Sequence, residues 1–497
     1  MTSLATTTKT QKAARVLLVL AFAFFALATP SRSTFAVPTR EADPFVWNAN
    51  PLWHDLEREF NEARHQPLRM VNPRIEILFA TIRAELSALE AHSAQPADTR
   101  FNALSNDVFT LAALVAAHPS HAEDFANLVN DLRLRVRRLA EGWPAHNANA
   151  RQRLYRLLYG SRAALEEVLL QASADAVPAL MRGVDEPSQT PYVDVQGVRV
   201  HSGDILVSRG AAATSALIAR GNDYPGNFSH VALVYIDERT HAFHTIEAHI
   251  ETGAVVGDLA KYLGDGKLRI LLLRARADLP AIQANPMLPH LAARRAFMAA
   301  SNAHIPYDFE MDHSDPSKQF CSEVASSAYA EQGIALWQNL SSMSSHANSF
   351  WLASFGVTHF DTQAPADLEY DPQLRVVAEW RNREQLLREH VDNAIVDALL
   401  EEADHGEPIH FAWWKLPGVR LAKAYSVVLN WFGKVGPVPE GMSASVALRA
   451  MALAERHARI RAHLMDSVRA YRTQYNAMPP YWDLVALART TTAQQPW

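Results

Sequence analysis

The sequence contains a single cysteine, Cys321, at the head of a predicted helix that runs from about Phe320 to Gln332. Unpaired backbone N–H groups and the helix dipole favour a thiolate at a helix N terminus, and the same groups can stabilise an oxyanion during acyl transfer. A thiolate acts as a nucleophile when a base lies within hydrogen-bond reach. Cys321 is therefore a candidate nucleophile for acyl transfer.

His230 and Glu247 are candidates for the base and its orienting partner. They belong to two predicted strands, HVALVYID and AFHTIEAHI, which the polar turn Asp237–Thr240 joins. If that turn is centred between its second and third residues, an unbulged antiparallel hairpin sets His230 directly opposite Glu247, with Cβ atoms about 4.5–5.5 Å apart. A carboxylate at that distance can fix one imidazole nitrogen and leave the other free as a base. A slip of one residue would separate the two side chains onto opposite faces.

The same cysteine also fits a purely structural role. Apolar and small residues recur at helical spacing through this segment, at Cys321, Val324, Ala325, Ala328 and Tyr329. Cys321 could therefore begin a buried apolar stripe.

A metallohydrolase is another interpretation. Four possible ligands are close in sequence, namely His241, His244, Glu247 and His249. On a strand, residues 241, 247 and 249 share one face while residue 244 faces the other, which suits no compact site, and the HEXXH motif is absent. The sequence predicts no metal ion and no cofactor.

The composition and the N terminus indicate an exported protein that does not bind nucleic acid. The chain has 497 residues, a net charge of −6 and no Lys/Arg-rich run, which excludes a nucleic-acid partner. Lys9, Lys12 and Arg15 precede an apolar run, Val16–Ala28, that is shorter than the roughly 20 residues of a membrane span. We interpret residues 1–36 as a signal peptide and expect a periplasmic or secreted protein, with an uncleaved membrane anchor as the alternative.

The rest of the chain divides into three predicted parts. Residues 41–185 and 367–497 repeat apolar residues at helical spacing, and residues 190–345 combine short strands of a mostly antiparallel sheet with helices. The predicted fold class is α+β, flanked by all-helical regions. The tryptophans and the run VVLNWF in the C-terminal region are interpreted as core or interdomain packing rather than as a membrane anchor.

An ordered series of segments resembles a known superfamily. The segments are GDILVSRG (203–210), FSHVALVYID (228–237), HTIEA (244–248), LLLRAR (271–276), PYDFEMD (306–312) and QFCSEVASSAYAEQGI (319–334). Together they resemble the permuted branch of the NlpC-type papain-fold superfamily, and in particular the YiiX-like cysteine hydrolases. In this branch the His and polar strands precede the Cys-bearing helix, as they do here.

The resemblance implies a role for seven residues. Cys321 would be the nucleophile, His230 the base and Glu247 the third member of a catalytic triad. Tyr307 and Asp308 would bind substrate near the site, and Gly203 and Asp204 would serve a structural purpose beside it.

The implied activity is hydrolysis through an acyl-enzyme. Amide, ester and thioester bonds all suit thiol catalysis, and we favour an amide. The expected substrate is a cell-wall peptide or a lipid-linked acyl group, with association to a membrane surface or to the cell wall. The alternative is a non-catalytic binding or scaffold protein that uses the papain-like domain and its helical flanks.

Overall fold

A computed structural model describes residues 51–144, 146–173, 178–381 and 383–497, together with Leu27 and Thr29, and gives only the backbone of residues 346 and 347. The predicted signal peptide, apart from those two residues, lies outside this range. Among the described residues, no helix is both long and apolar enough to cross a bilayer.

The N-terminal region is a helical bundle. Its helices are α1 (Pro51–Arg64), α2 (Leu68–Ala91), α3 (Arg100–Ala117), α4 (Ala122–Ala140), α5 (Ala148–Leu154) and α6 (Gly160–Gln171), with one π-helical turn at Tyr155–Tyr159. Each helix turns an apolar stripe inwards, and the stripes form one continuous core.

Seven antiparallel strands form the central sheet. In chain order they are β1 (Leu180–Arg182), β4 (Ile205–Gly210), β5 (His230–Ile236), β6 (Phe243–His249), β7 (Gly253–Asp258), β8 (Lys267–Ala275) and β11 (Leu374–Arg381). A small hairpin of β2 (Tyr192–Val195) and β3 (Val198–His201) lies between β1 and β4 in the chain. The spatial order is β1-β11-β8-β4-β5-β6-β7. This arrangement confirms the predicted α+β class with helical flanks. The domain limits stay a prediction, but the range 190–345 leaves out β1 and β11, which pair with each other and with β8.

Helices cover both faces of this sheet, which explains why its central strands are almost continuously apolar. The helices of this part are α7 (Ala213–Arg220), α8 (Leu259–Gly264), α9 (Pro280–Ala284), α10 (Leu288–Asn302) and α11 (Cys321–Ala330). On one face, Leu233 and Leu273 pack with α10 and α11. On the other, Val234 and Leu272 pack with Tyr262 of α8.

The C-terminal region adds five helices and a two-stranded ribbon. They are β9 (Ser341–Ser342), α12 (His346–Ser354), β10 (Asp361–Thr362), α13 (Arg383–Asp404), α14 (Leu416–Trp431), α15 (Ala444–Tyr475) and α16 (Tyr481–Gln494). Helices α7, α12, α13, α15 and α16 share a single core.

The interpretation of the VVLNWF run as packing is wrong. Leu416 and Ser426 are the only buried residues of α14, whereas Trp431 and Phe432 are 77% and 73% exposed. The run is as apolar as a core segment, but no other described element covers its outer side.

A buried charge network joins the helical flanks to the sheet. Arg269 of β8 donates to Glu166 of α6 at 2.7 Å, to Glu379 of β11 at 3.1 Å and to Glu389 of α13 at 2.6 Å. All four side chains are at most 2% exposed. Burying charged groups is costly unless they are paired, so these contacts hold the three regions in one arrangement.

Candidate active site

The β5–β6 hairpin has a register two residues away from the expected one. Ala232, rather than His230, is paired with Glu247, and Ile236 is paired with Phe243. The prediction of a direct pair is therefore wrong. The connection between the strands has six residues, 237–242, instead of the four of the expected turn, because the Asp237 carboxylate accepts from two N–H groups of the loop and His241 adopts a positive φ of 54°. A shift of two residues keeps every side chain on its face.

His230 and Glu247 nevertheless meet, diagonally across the hairpin. The distance between His230 Nε2 and Glu247 Oε2 is 2.8 Å. The other carboxylate oxygen accepts from the Thr245 hydroxyl at 2.8 Å, so both oxygens are held. Because Nε2 is engaged by Glu247, Nδ1 is the imidazole nitrogen that remains for another partner.

Cys321 is the first residue of α11, and it lies beside the start of β5. Its Sγ is 4.0 Å from the backbone oxygen of Ser229, and the thiol is close enough to the His230 imidazole to raise the pKa of that ring. The Glu323 carboxylate fixes the helix start by accepting from the N–H of Phe320 at 2.8 Å. The thiol thus lies at a helix N terminus and in contact with an imidazole.

The three side chains influence one another's protonation. Burial alone would lower the pKa of His230, but its hydrogen bonds with Cys321 and Glu247 outweigh burial and raise the pKa to about 9. Burial alone would raise the pKa of Glu247, but the bond from His230 and the nearby Lys267 lower it to about 2. The site therefore favours an imidazolium next to a carboxylate at neutral pH.

Comparison with known protein families matches residues 199–378 to the family described as "Permuted papain-like amidase enzyme, YaeF/YiiX, C92 family". The match includes strands β4–β8 and the Cys-bearing helix α11, and the central domain has the permuted papain-like fold. The resemblance to YiiX-like proteins is confirmed, and the match supports a cysteine hydrolase or amidase in general. A comparison with curated proteins finds no match.

Two residues that the sequence suggested for substrate binding line the loop before the Cys-bearing helix of the papain-like domain. The Asp308 carboxylate accepts from the N–H groups of Glu310 and Asp312, so both of its oxygens organise the loop. Burial first, and then the neighbouring Cys321 and Asp308, raise the pKa of Tyr307 far above its usual value. Its phenol stays protonated and can donate a hydrogen bond.

The Gly-Asp pair that opens the papain-like domain is remote from the thiol. Gly203 has a φ of 97°, and a Cβ there would lie 2.4 Å from the Cβ of Pro289, so glycine is required for two reasons. Asp204 is buried and accepts from both Nε and a terminal nitrogen of Arg274 at 2.8 Å. These contacts fit a structural role.

Two further residues lie at the site: His249, which the sequence offered only as a possible zinc ligand, and Lys267, to which it assigned no role. The His249 ring stacks on the His230 ring with a centroid separation of 5.1 Å. The Lys267 ammonium is 3.9 Å from Glu247 Oε2 and lies over the Tyr262 ring. The i, i+2 spacing predicts that His249 and Glu247 share one face of β6. No sequence pattern near Lys267 predicts its position, because it comes from a different strand, β8.

The four possible zinc ligands that are close in sequence, His241, His244, Glu247 and His249, do not form one cluster. Among the described residues, only Glu247 and His249 of these four belong to a group that could hold a metal ion, and the third member of that group is His230. The possible ligand atoms of His230, Glu247 and His249 all lie within 4.8 Å of one another. His244 instead packs against the rings of Tyr235 and Phe297. A metal ion in this cluster would take the nitrogen and oxygen through which His230 and Glu247 interact.

Proposed function

We propose that the protein is an exported cysteine hydrolase that cleaves an amide bond through an acyl-enzyme on Cys321. The observation that carries this proposal is the position of His230 between Glu247, at 2.8 Å from the imidazole, and the Cys321 thiol, which raises the pKa of the same imidazole. The thiol is the only one in the chain, and the matched family is one of papain-like amidases.

Acylation would begin from the thiolate–imidazolium form. The Cys321 sulfur attacks the carbonyl carbon, and the carbonyl oxygen gains the negative charge. The free N–H groups at the start of α11 are placed to stabilise that charge, and the protonated Tyr307 hydroxyl is a candidate second donor. As the C–N bond breaks, the His230 imidazolium gives its proton to the leaving amine.

Deacylation would reverse these proton transfers. Neutral His230 takes a proton from a water molecule, whose oxygen attacks the thioester carbon. The C–S bond breaks, the acid is released, and the proton returns the site to its thiolate–imidazolium form. Glu247 keeps the imidazole in one orientation throughout and stabilises its charged form.

The substrate we propose is a cell-wall peptide or a lipid-linked acyl amide. Export of the chain would bring the thiol to either. His230 and His249 are 17% and 27% exposed at their side chains, whereas Cys321 is 6% exposed. A substrate would therefore approach past the two imidazoles, and a narrow acyl or peptide group could reach the sulfur.

The test is hydrolysis by the full chain of muropeptides and acylated lipids, with products identified by mass spectrometry. We expect cleavage of one class and none by Cys321→Ala. Acid quenching during turnover should add the mass of the acyl group to the intact protein. A Cys321→Ala variant with full activity would contradict the proposal.

The competing function is a non-catalytic binding protein with a structural cysteine. It is favoured by the burial of Cys321 at the head of a stripe that includes Val324, Ala325 and Tyr329. Alkylation separates the two, because an activated thiol reacts rapidly well below its usual pKa of about 8.5. Since there is one cysteine, the intact mass reports on this residue alone.

A further inference from the structure

Helix α14 and the segments on either side of it present an aromatic surface. It consists of Trp414, Leu421, Tyr425, Trp431 and Phe432, which are between 59% and 77% exposed. The apolar face of a helix is normally buried against a core or a membrane. Neighbouring exposed groups of this size mark an interaction site.

The charge of this region is one-sided. Between Glu407 and Glu440 the sequence has no Asp or Glu but has four cations, Lys415, Arg420, Lys423 and Lys434. Tryptophan and tyrosine favour the boundary between head groups and acyl chains, and lysine and arginine are attracted to anionic head groups. The pattern matches an anionic lipid surface better than it matches a protein partner of mixed charge.

A second observation concerns two described residues of the N-terminal region, which contact the same helix. The Arg420 guanidinium donates to the backbone oxygens of Leu27 and Thr29 at 2.5 and 2.6 Å. Leu27 belongs to the run Val16–Ala28, and Thr29 follows it. Leu27 and Thr29 therefore lie beside the helix that carries the aromatic surface.

The inner side of α14 connects this surface to the papain-like domain. Val419 and Ala422 pack in a small cluster around Val438 and Met442, together with Ile250 and Phe309. Ile250 directly follows His249, and the Phe309 ring is 5.1 Å from the Tyr307 ring. The surface is thus held in place by the segments that carry the candidate site.

We propose that the aromatic surface docks on a lipid bilayer that carries anionic head groups. The helix would lie in the plane of the interface, with its aromatic side chains among the upper acyl chains and its cations at the phosphates. This docking is independent of hydrolysis and goes beyond the proposed function.

The experiment is co-flotation of the full chain with vesicles of phosphatidylethanolamine and phosphatidylglycerol, compared with vesicles of phosphatidylcholine alone. We expect strong binding to the first, weakened by salt, and weak binding to the second. Trp431→Glu/Phe432→Glu should reduce the partition coefficient about tenfold or more, because two exposed aromatic groups that would insert among the acyl chains are replaced by charges. Lys415→Glu/Lys434→Glu should remove most of the preference for phosphatidylglycerol.

Two controls make the result specific. Met70→Glu/Ile77→Glu changes two equally exposed apolar residues on α2 and should leave binding unchanged. The comparison is repeated in a full chain with Leu18→Glu and Phe24→Glu, so that the N-terminal run cannot insert; the Trp431→Glu/Phe432→Glu effect should persist there.

Three outcomes would overturn the proposal. The first is a chain that floats with neither kind of vesicle. The second is binding that Trp431→Glu/Phe432→Glu leaves unchanged, which would assign any membrane affinity to the N-terminal run. The third is self-association without vesicle binding that the same variant abolishes, which would show that a second copy covers the surface. Thiol alkylation of each variant tests the candidate site separately.

Discussion

The carboxylate of Glu247 reaches Nε2 of His230 diagonally across the β5–β6 hairpin, from a position paired with Ala232. The same oxygen is also 3.7 Å from His249 and 3.9 Å from Lys267. Glu247 is therefore close to three groups that can carry positive charge. Its removal should affect the imidazole more than the fold, since Thr245 and the strand backbone remain in place.

The first prediction concerns Glu247→Gln. We expect the rate of alkylation of Cys321 by iodoacetamide at pH 7 to fall about tenfold, because one charge-assisted hydrogen bond contributes about 1.5–3 kcal/mol. His230→Ala should cause a larger loss, and the exposed Glu238→Gln at the far end of the hairpin should cause none. Equal rates in Glu247→Gln and the unaltered protein would mean that the carboxylate does not act on the thiol.

The second prediction concerns the titration of His230, whose pKa is raised to about 9. The partners favour the imidazolium, so the stability they contribute is complete below the unfolded pKa of about 6.5 and is lost as the pH rises through 9. Proton NMR of the histidine rings should show one resonance with this midpoint, absent in His230→Gln. In Glu247→Gln the midpoint should move to lower pH; an unchanged midpoint would contradict the role of the carboxylate.

The third prediction concerns Glu323, whose pKa is raised to about 8 by burial and by the nearby Asp308 and Cys321, against the bond from Phe320. The folded protein keeps this proton between pH 4.5 and 8 while the unfolded chain loses it, so stability falls as the pH rises through that range. Glu323→Gln keeps an acceptor for the Phe320 N–H. Its melting temperature should exceed that of the unaltered protein by a few degrees at pH 8 and match it near pH 4.

The fourth prediction concerns zinc. The His230, Glu247 and His249 cluster offers two imidazoles and a carboxylate, a combination that zinc accepts, and zinc there would block the base. We expect Zn²⁺ to slow alkylation of Cys321 and EDTA to restore the rate. His249→Ala should weaken this inhibition, whereas His244→Ala, on the opposite face of the same strand, should not. Loss of basal reactivity with EDTA alone would instead favour a metal-dependent enzyme.

The fifth prediction concerns Arg269→Met, which leaves the carboxylates of Glu166, Glu379 and Glu389 buried with less compensation. Removing one partner of a buried ion pair costs about 3–5 kcal/mol, so the urea midpoint should fall strongly. Arg74→Met is the matched control, because Arg74 pairs with Glu59 at the surface and such pairs contribute about 0–1 kcal/mol. A similar, small effect of both substitutions would show that the buried network is not stabilising.

Period-two alternation was enough to place His230 and Glu247 on one face, and the helix start was enough to place Cys321. The pairing itself could not be predicted, because it depends on the length of the loop that Asp237 closes. An error of two residues in the register leaves every side chain on the same face of the sheet. His230 and Glu247 are therefore in contact although the predicted register is wrong.

Other features depend on contacts that are distant in sequence. The segment LRVVAEWR of β11 precedes a run of strong helix formers, so the sequence pattern predicts a helix there. The segment is a strand because it pairs with β8. The exposure of Trp431 was missed for a related reason: an apolar run looks the same in sequence whether it faces a core or a surface. The positions of Lys267 beside Glu247 and of Arg269 in the buried charge network depend on tertiary packing alone.

The pairing of Arg269 also determines how far the papain-like domain could be transplanted. Every carboxylate that this arginine binds comes from outside the matched residues 199–378: Glu166 precedes them, and Glu379 and Glu389 follow. A fragment limited to residues 199–378 would retain Cys321 and His230, but Arg269 would be left without its three carboxylate partners. We therefore expect that the papain-like domain does not fold stably without the helical flanks.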